Sequence, residues 1–192
     1  MLRPGASLLA DVSEPDFLAT APTIDTARLT LRGHRTGDLA ECASMWADPV
    51  VVRHIGGVPI AAEKVWIKLL AYLGHWSALG FGYWVVCDRS SGRFVGEVGL
   101  ADFRRDLEPS LGGAPEIGWA LASWAHGRGL ATEAVTAVVA WGDTHLAAPR
   151  TVCMIDPDHL ASIRVAEKCG YLRLAETTYH GAPIRLFARS RP

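Results

Sequence analysis

The segment Glu116-Ile-Gly-Trp-Ala-Leu-Ala-Ser-Trp-Ala-His-Gly-Arg-Gly-Leu-Ala-Thr-Glu-Ala-Val135, EIGWALASWAHGRGLATEAV, changes character twice within twenty residues. EIGWAL has the β-rich pattern of a strand. The Ala- and Val-rich run from Ala131 to about His145 reads as a helix. Between them lie Gly127 and Gly129. The first turn of any helix carries N–H groups without intrahelical partners, and the helix dipole adds positive potential there. Two glycines in front of it clear side chains from those donors, as an anion-binding corner requires. A tight turn with an exposed arginine would satisfy this segment equally well.

Outward from this segment, the chain alternates strands and helices. TARLTLRGH alternates Leu29 and Leu31 with polar residues, as a half-buried strand does. TGDLAECASMWAD reads as a helix with Thr36 or Asp38 as N-cap, and a second helix is expected over about Ala61–Leu79. FGYWVVCD and RFVGEVGLADF, joined by RSSG, form a hairpin pattern. After the central segment come a strand over TVCMID, a helix over HLASIRVAEKCG with Gly170 beyond its end, and strands over Tyr171–Glu176 and Ile184–Arg189. The order β-α-α-β-β-β-α-β-α-β-β predicts a mixed α/β (α+β) domain. It has a largely antiparallel central sheet of about seven strands flanked by about four helices. Residues 1–23, with three prolines, read as an N-terminal leader, and residues 24–192 as one domain.

Composition narrows the function classes. The 192 residues are 49% hydrophobic, and 19 basic against 20 acidic residues give a formal charge of −1, so a nucleic-acid partner is not expected. The charge-free stretch Leu69–Cys87 is interrupted by three glycines, so no membrane span is expected. Four scattered cysteines without a C-x-x-C pair read as core fillers in a cytoplasmic protein, and the dispersed histidines predict no metal site. Trp46, Trp66 and Trp141 fit helix core positions. Trp76, Trp84, Trp119 and Trp124 fit either the core or the wall of a cleft. A P-loop lysine and the third glycine of a dinucleotide fingerprint are both missing.

The combination of EIGWALASWAHGRGLATEAV with IDPDHLASIRVAEKCGY resembles the GNAT N-acetyltransferase superfamily, and most closely its branch of ribosomal-protein N-terminal acetyltransferases. The likeness runs from about Thr23 to Arg189. It implies that a Q/R-x-x-G-x-G/A signature binds the pyrophosphate of acetyl-CoA through His126, Gly127, Arg128, Gly129, Leu130 and Ala131, with Thr132 in the same first turn. It also implies that the Ala120 N–H lies near the acetyl carbonyl, with Leu121 and Ala122 pairing further along the cofactor. The second signature, N-x-A-S, reads His159-Leu160-Ala161-Ser162. Histidine replaces the usual residue at both His126 and His159.

The reaction implied is attack of a primary amine on the thioester. It needs a proton acceptor, an oxyanion donor and a proton for the departing thiolate. Glu116 is the expected base, with Glu97 in reserve, and a structural or orienting carboxylate as the alternative role. The family's usual tyrosine is replaced by Ala166, so Ser162 is the expected thiolate donor, with solvent as its rival and a helix hydroxyl bonding an earlier carbonyl as its structural role. His54 lies in the region that shapes the acceptor site. The acceptor is a protein N-terminus or a small amine; the final strands of such domains often pair two copies into a homodimer, while the sequence leaves the oligomeric state open. A non-catalytic acyl-CoA-binding domain of the same fold is the alternative.

Overall fold

The computed structural model describes residues 20–192. Most of the leader expected over residues 1–23 lies outside that range. Eight strands form one sheet in the order β1-β2-β3-β4-β5-β6-β8-β7. They are β1 (Ile24–Asp25), β2 (Leu29–Gly33), β3 (Tyr83–Asp88), β4 (Phe94–Ala101), β5 (Glu116–Leu121), β6 (Arg150–Ile155), β7 (Leu172–Tyr179) and β8 (Ala182–Ser190). The two-residue β1 accounts for the strand beyond the expected seven. Five helices accompany the sheet: α1 (Leu39–Ala47), α2 (Pro49–Val52), α3 (Ala62–Leu79), α4 (Leu130–His145) and α5 (Leu160–Lys168). The extra helix is α2, a single turn started by Pro49 and by Asp48, whose carboxylate accepts from the Val50 N–H. No helix among the described residues is long and apolar enough to cross a membrane.

Every strand pairing is antiparallel except β5–β6. Those two strands are joined through α4, the crossover that a parallel pair requires. Their register holds at one position only, Glu116 opposite Val152, after which they diverge. The sheet is thus continuous from β1 to β5 and from β6 to β7, with a wedge-shaped gap in the middle.

One hydrophobic cluster joins Leu29, Trp84, Val98 and Ile117 of the sheet to Leu130, Val135 and Val138 of α4. Within it Trp84 meets Trp76 and Trp141 edge to face, at ring distances of 4.6 and 5.2 Å. These two tryptophans therefore belong to the core. Replacing the fully buried Trp84 by alanine would cost roughly 3–5 kcal/mol. A second cluster packs α1 and Val65 of α3 against Val85 and Ala120. All four cysteines are buried and free.

Candidate active site

The gap between β5 and β6 opens into a cavity of about 520 Å³. Beyond Leu121 the chain leaves β5, makes one 3₁₀ turn over Ser123–Ala125, and reaches the glycine loop. Gly127 and Gly129 take φ of +71° and +76°, values that side-chain-bearing residues rarely adopt. A Cβ on Gly127 would meet nothing within 4 Å, and one on Gly129 only the Arg28 guanidinium at 3.6 Å. The space over the loop is open. Glu133 is the first residue of α4 to bond back, to Gly129 O at 3.2 Å, which leaves the N–H groups of Leu130, Ala131 and Thr132 pointing out of the helix end.

The loop is held from outside. Arg28 donates Nη1–H to Arg128 O at 2.9 Å, while its Nε–H and main-chain N–H both reach the Glu133 carboxylate. Thr26 donates to the same carboxylate. The Arg128 and Arg93 guanidinium groups lie over Trp124, at 5.4 and 3.8 Å from the ring centre.

Strand alternation decides which main-chain groups face the gap. Pro115 O accepts from Val152 N–H across to β6, and Ala122 N–H donates to Val95 O on β4. N–H and C=O of one strand residue point the same way and switch sides at the next. Ile117, Trp119 and Leu121 therefore present their main chain to the gap, whereas Ala120 and Ala122 turn theirs to β4. This corrects the expected role of Ala120: its N–H is not aimed at the gap, and the neighbouring Trp119 and Leu121 groups are. Ala122 is likewise removed from pairing with a cofactor. His126 turns back from the loop and donates Nε2–H to Leu121 O at 2.8 Å.

Deeper in the cavity lie two buried carboxylates, each held by side-chain donors. Glu116, 7% exposed, receives Arg105 in a two-pronged contact, with Nη2 to Oε1 at 2.8 Å and Nε to Oε2. Arg105 also donates to the Tyr179 hydroxyl at 3.1 Å, and the Glu116 contact raises its pKa against the opposing effect of burial. Glu97, 2% exposed, accepts from Trp46 Nε1 at 2.8 Å and meets His34 Nε2 at 3.0 Å. Burial pushes its carboxyl up, but these bonds and the nearby Lys68 outweigh burial and hold it below the ordinary value. Among the described residues, His34, Cys42 and Glu97 form one group of metal-ligand-type side chains, in which Glu97 is hydrogen-bonded to both of the others.

The opposite wall carries histidines. His54 donates Nδ1–H to Asp156 Oδ2 at 2.8 Å and stacks on His159 at 4.6 Å. His159 sits at the start of α5, with Nε2 3.4 Å from Ser162 Oγ, which also accepts from Trp119 Nε1 at 3.3 Å. Burial, with His54 beside it, holds the His159 imidazole below its ordinary pKa. Ala166 is fully buried in the core and offers no hydroxyl to the gap. Glu116, Glu97, His54, His159 and Ser162 thus line one cavity. Arg105, Lys68 and Asp156 join them there without having been singled out in the sequence. They come from a loop, a helix face and a strand end that no short motif links.

The Acetyltransferase (GNAT) domain family matches residues 28–172. The chain belongs to the GNAT acetyltransferase family. The protein YkkB of Bacillus subtilis (strain 168) is 26% identical over 171 residues, covering 85% of this chain and 93% of that one. A GNAT-family acetyltransferase structure from Bordetella pertussis superposes with a TM-score of 0.78 at 30% identity, covering 88% of this chain and all of the other. At 14% identity the GNAT fold alone is shared with RimL, a ribosomal L7/L12 α-N-protein acetyltransferase solved with coenzyme A (TM-score 0.71; 88% and 98% covered). The chain is accordingly an acyltransferase built on the GNAT fold.

Proposed function

We propose that the protein transfers the acetyl group of acetyl-CoA to a primary amine. The observation that carries this reading is the juxtaposition of two openings: a sheet that parts after one β5–β6 pairing, and, beside it, a helix start cleared by two glycines. The residues fit the group. Three N–H groups at the start of α4 and the open space over Gly127 suit a diphosphate. The outward main chain of Trp119 and Leu121 suits the amide-bearing pantetheine arm. Acetyl-CoA supplies an activated acyl thioester.

The remaining work falls to side chains. Glu116 receives the amine proton, through water. Arg105 takes one acceptor site on each carboxylate oxygen, and an ionised carboxylate has about four, so sites remain. The Trp119 or Leu121 N–H stabilises the developing oxyanion. Ser162, 3.4 Å from His159 Nε2, donates its proton to the departing sulfur and takes one back from solvent. Fold neighbours act on amines as different as a ribosomal-protein N-terminus, spermidine and an aminoglycoside, so the fold leaves the acceptor open.

A thiol-release assay with acetyl-CoA against a panel of amines and peptides tests the reading. Acetyl-CoA binding without release on any acceptor would instead mark a non-catalytic acyl-CoA-binding domain.

A further inference from the structure

Among the described residues, one cation of the cavity has no carboxylate in direct contact with it. Lys68, on α3, extends its ammonium along the Trp46 and Tyr72 rings, 4.5 and 5.0 Å from their centres, and lines the cavity. No carboxylate oxygen among the described residues lies within ion-pair distance of it. Glu97, Glu116, Arg105 and Cys42 are the titratable groups around it. Each carboxylate already has close partners: Glu97 meets His34 and Trp46, and both Glu116 oxygens meet Arg105. Arg105 also has donor capacity left, because a guanidinium carries five N–H groups and three are engaged here.

Two cations with spare donors therefore share the cavity with two carboxylates that are already engaged. The Lys68 side chain is half-buried, and its desolvation pushes the pKa of the ammonium down. A ligand that supplies a planar anionic acceptor offsets that desolvation.

We propose that Lys68 and Arg105 form a carboxylate subsite, so that the acceptor is an amine that also carries a carboxylate. This rests on the acetyl-transfer reading and deepens it. The same chemistry reaches the site from a free amino acid or from a peptide N-terminus with an acidic residue. Polyamines and aminoglycosides, which present only cations, are poor ligands for it.

The test pairs acids with their amides. Calorimetry on the coenzyme-A-loaded protein measures N-acetyl amino acids against N-acetyl amino-acid amides. A second pair compares short peptides beginning Ala-Asp or Ala-Glu with those beginning Ala-Asn or Ala-Gln, and so separates the two sources. One charge-assisted contact predicts about tenfold tighter binding of the acid member. Lys68→Met, which keeps the apolar stem, should bring that ratio close to one while leaving amide affinity unchanged, and Lys68→Arg should restore most of it. Equal binding of acid and amide by the unaltered protein, or spermidine as the best acceptor in the thiol assay, overturns the subsite. Transfer to amines with an acid-to-amide ratio of one removes this inference alone. A clear ratio with no transfer to any amine removes the enzymatic reading and leaves the subsite standing.

Discussion

The His126 imidazole closes onto the carbonyl oxygen of Leu121, five residues earlier, with Nε2 2.8 Å away. The residue at the first signature position thus fastens the end of β5 to the start of the glycine loop rather than facing a phosphate. His126→Ala should loosen that corner. One lost hydrogen bond of about 1 kcal/mol corresponds to roughly fivefold weaker acetyl-CoA binding. His126→Gln, which keeps a side-chain donor, should recover most of it. Calorimetry on both variants decides the point.

Gly127→Ala separates backbone strain from ligand exclusion. The added methyl meets no protein atom within 4 Å, so the apoprotein loses only the cost of a positive φ, on the order of 1 kcal/mol. A fall in acetyl-CoA affinity clearly beyond that stability loss shows that the space above the loop is where the coenzyme sits. Equal losses in thermal midpoint and binding would assign the glycine to the turn alone.

Glu116→Gln removes both the proposed base and the counter-charge of Arg105. Breaking a buried pair from one side costs roughly 3–5 kcal/mol, so the thermal midpoint must be measured beside the rate. The expected result is acetyl-CoA affinity within about twofold of the unaltered protein and turnover lowered at least a hundredfold, a typical share for general-base catalysis. Full turnover across pH 6–9 in the glutamine variant would leave Glu116 an orienting role only.

Acid sensitivity follows from Glu97. Its carboxyl is held below the ordinary 4.5, so the unfolded chain takes up the proton first as pH falls. The stability it contributes is complete above about pH 4.5 and is lost below that, toward its folded value. His159, held below its ordinary 6.5, acts in the same direction at higher pH, because the unfolded chain protonates before the folded one. Thermal midpoints should therefore fall from pH 7 to pH 3, and the part of that slope below about pH 4.5 should flatten in Glu97→Gln.

What the sequence revealed depended on how local the signal was. The strand, glycines and helix of residues 116–145 follow one another directly, so their order and boundaries were readable, α4 beginning at Leu130 rather than Ala131. HLAS likewise placed His159 and Ser162 at one helix start. The long-range partners left no trace. His54 and Asp156 are 102 residues apart, and Arg105 reaches Glu116 from a loop that shares no period with β5. The facing of the Ala120 main chain depends on β-ladder parity, which shifts with a single residue of register and is invisible without the partner strand. The insertion of β8 between β6 and β7 is also a property of the assembled sheet.

The tie from Arg28 to Arg128 spans 100 positions of sequence and joins the chain ahead of β2 to the loop that would receive the diphosphate. Opening either segment breaks its tie to the other. Denaturant that peels away the first strands should abolish coenzyme binding at the same concentration, so that a fluorescence probe near Trp84 and a binding assay would trace superimposable curves.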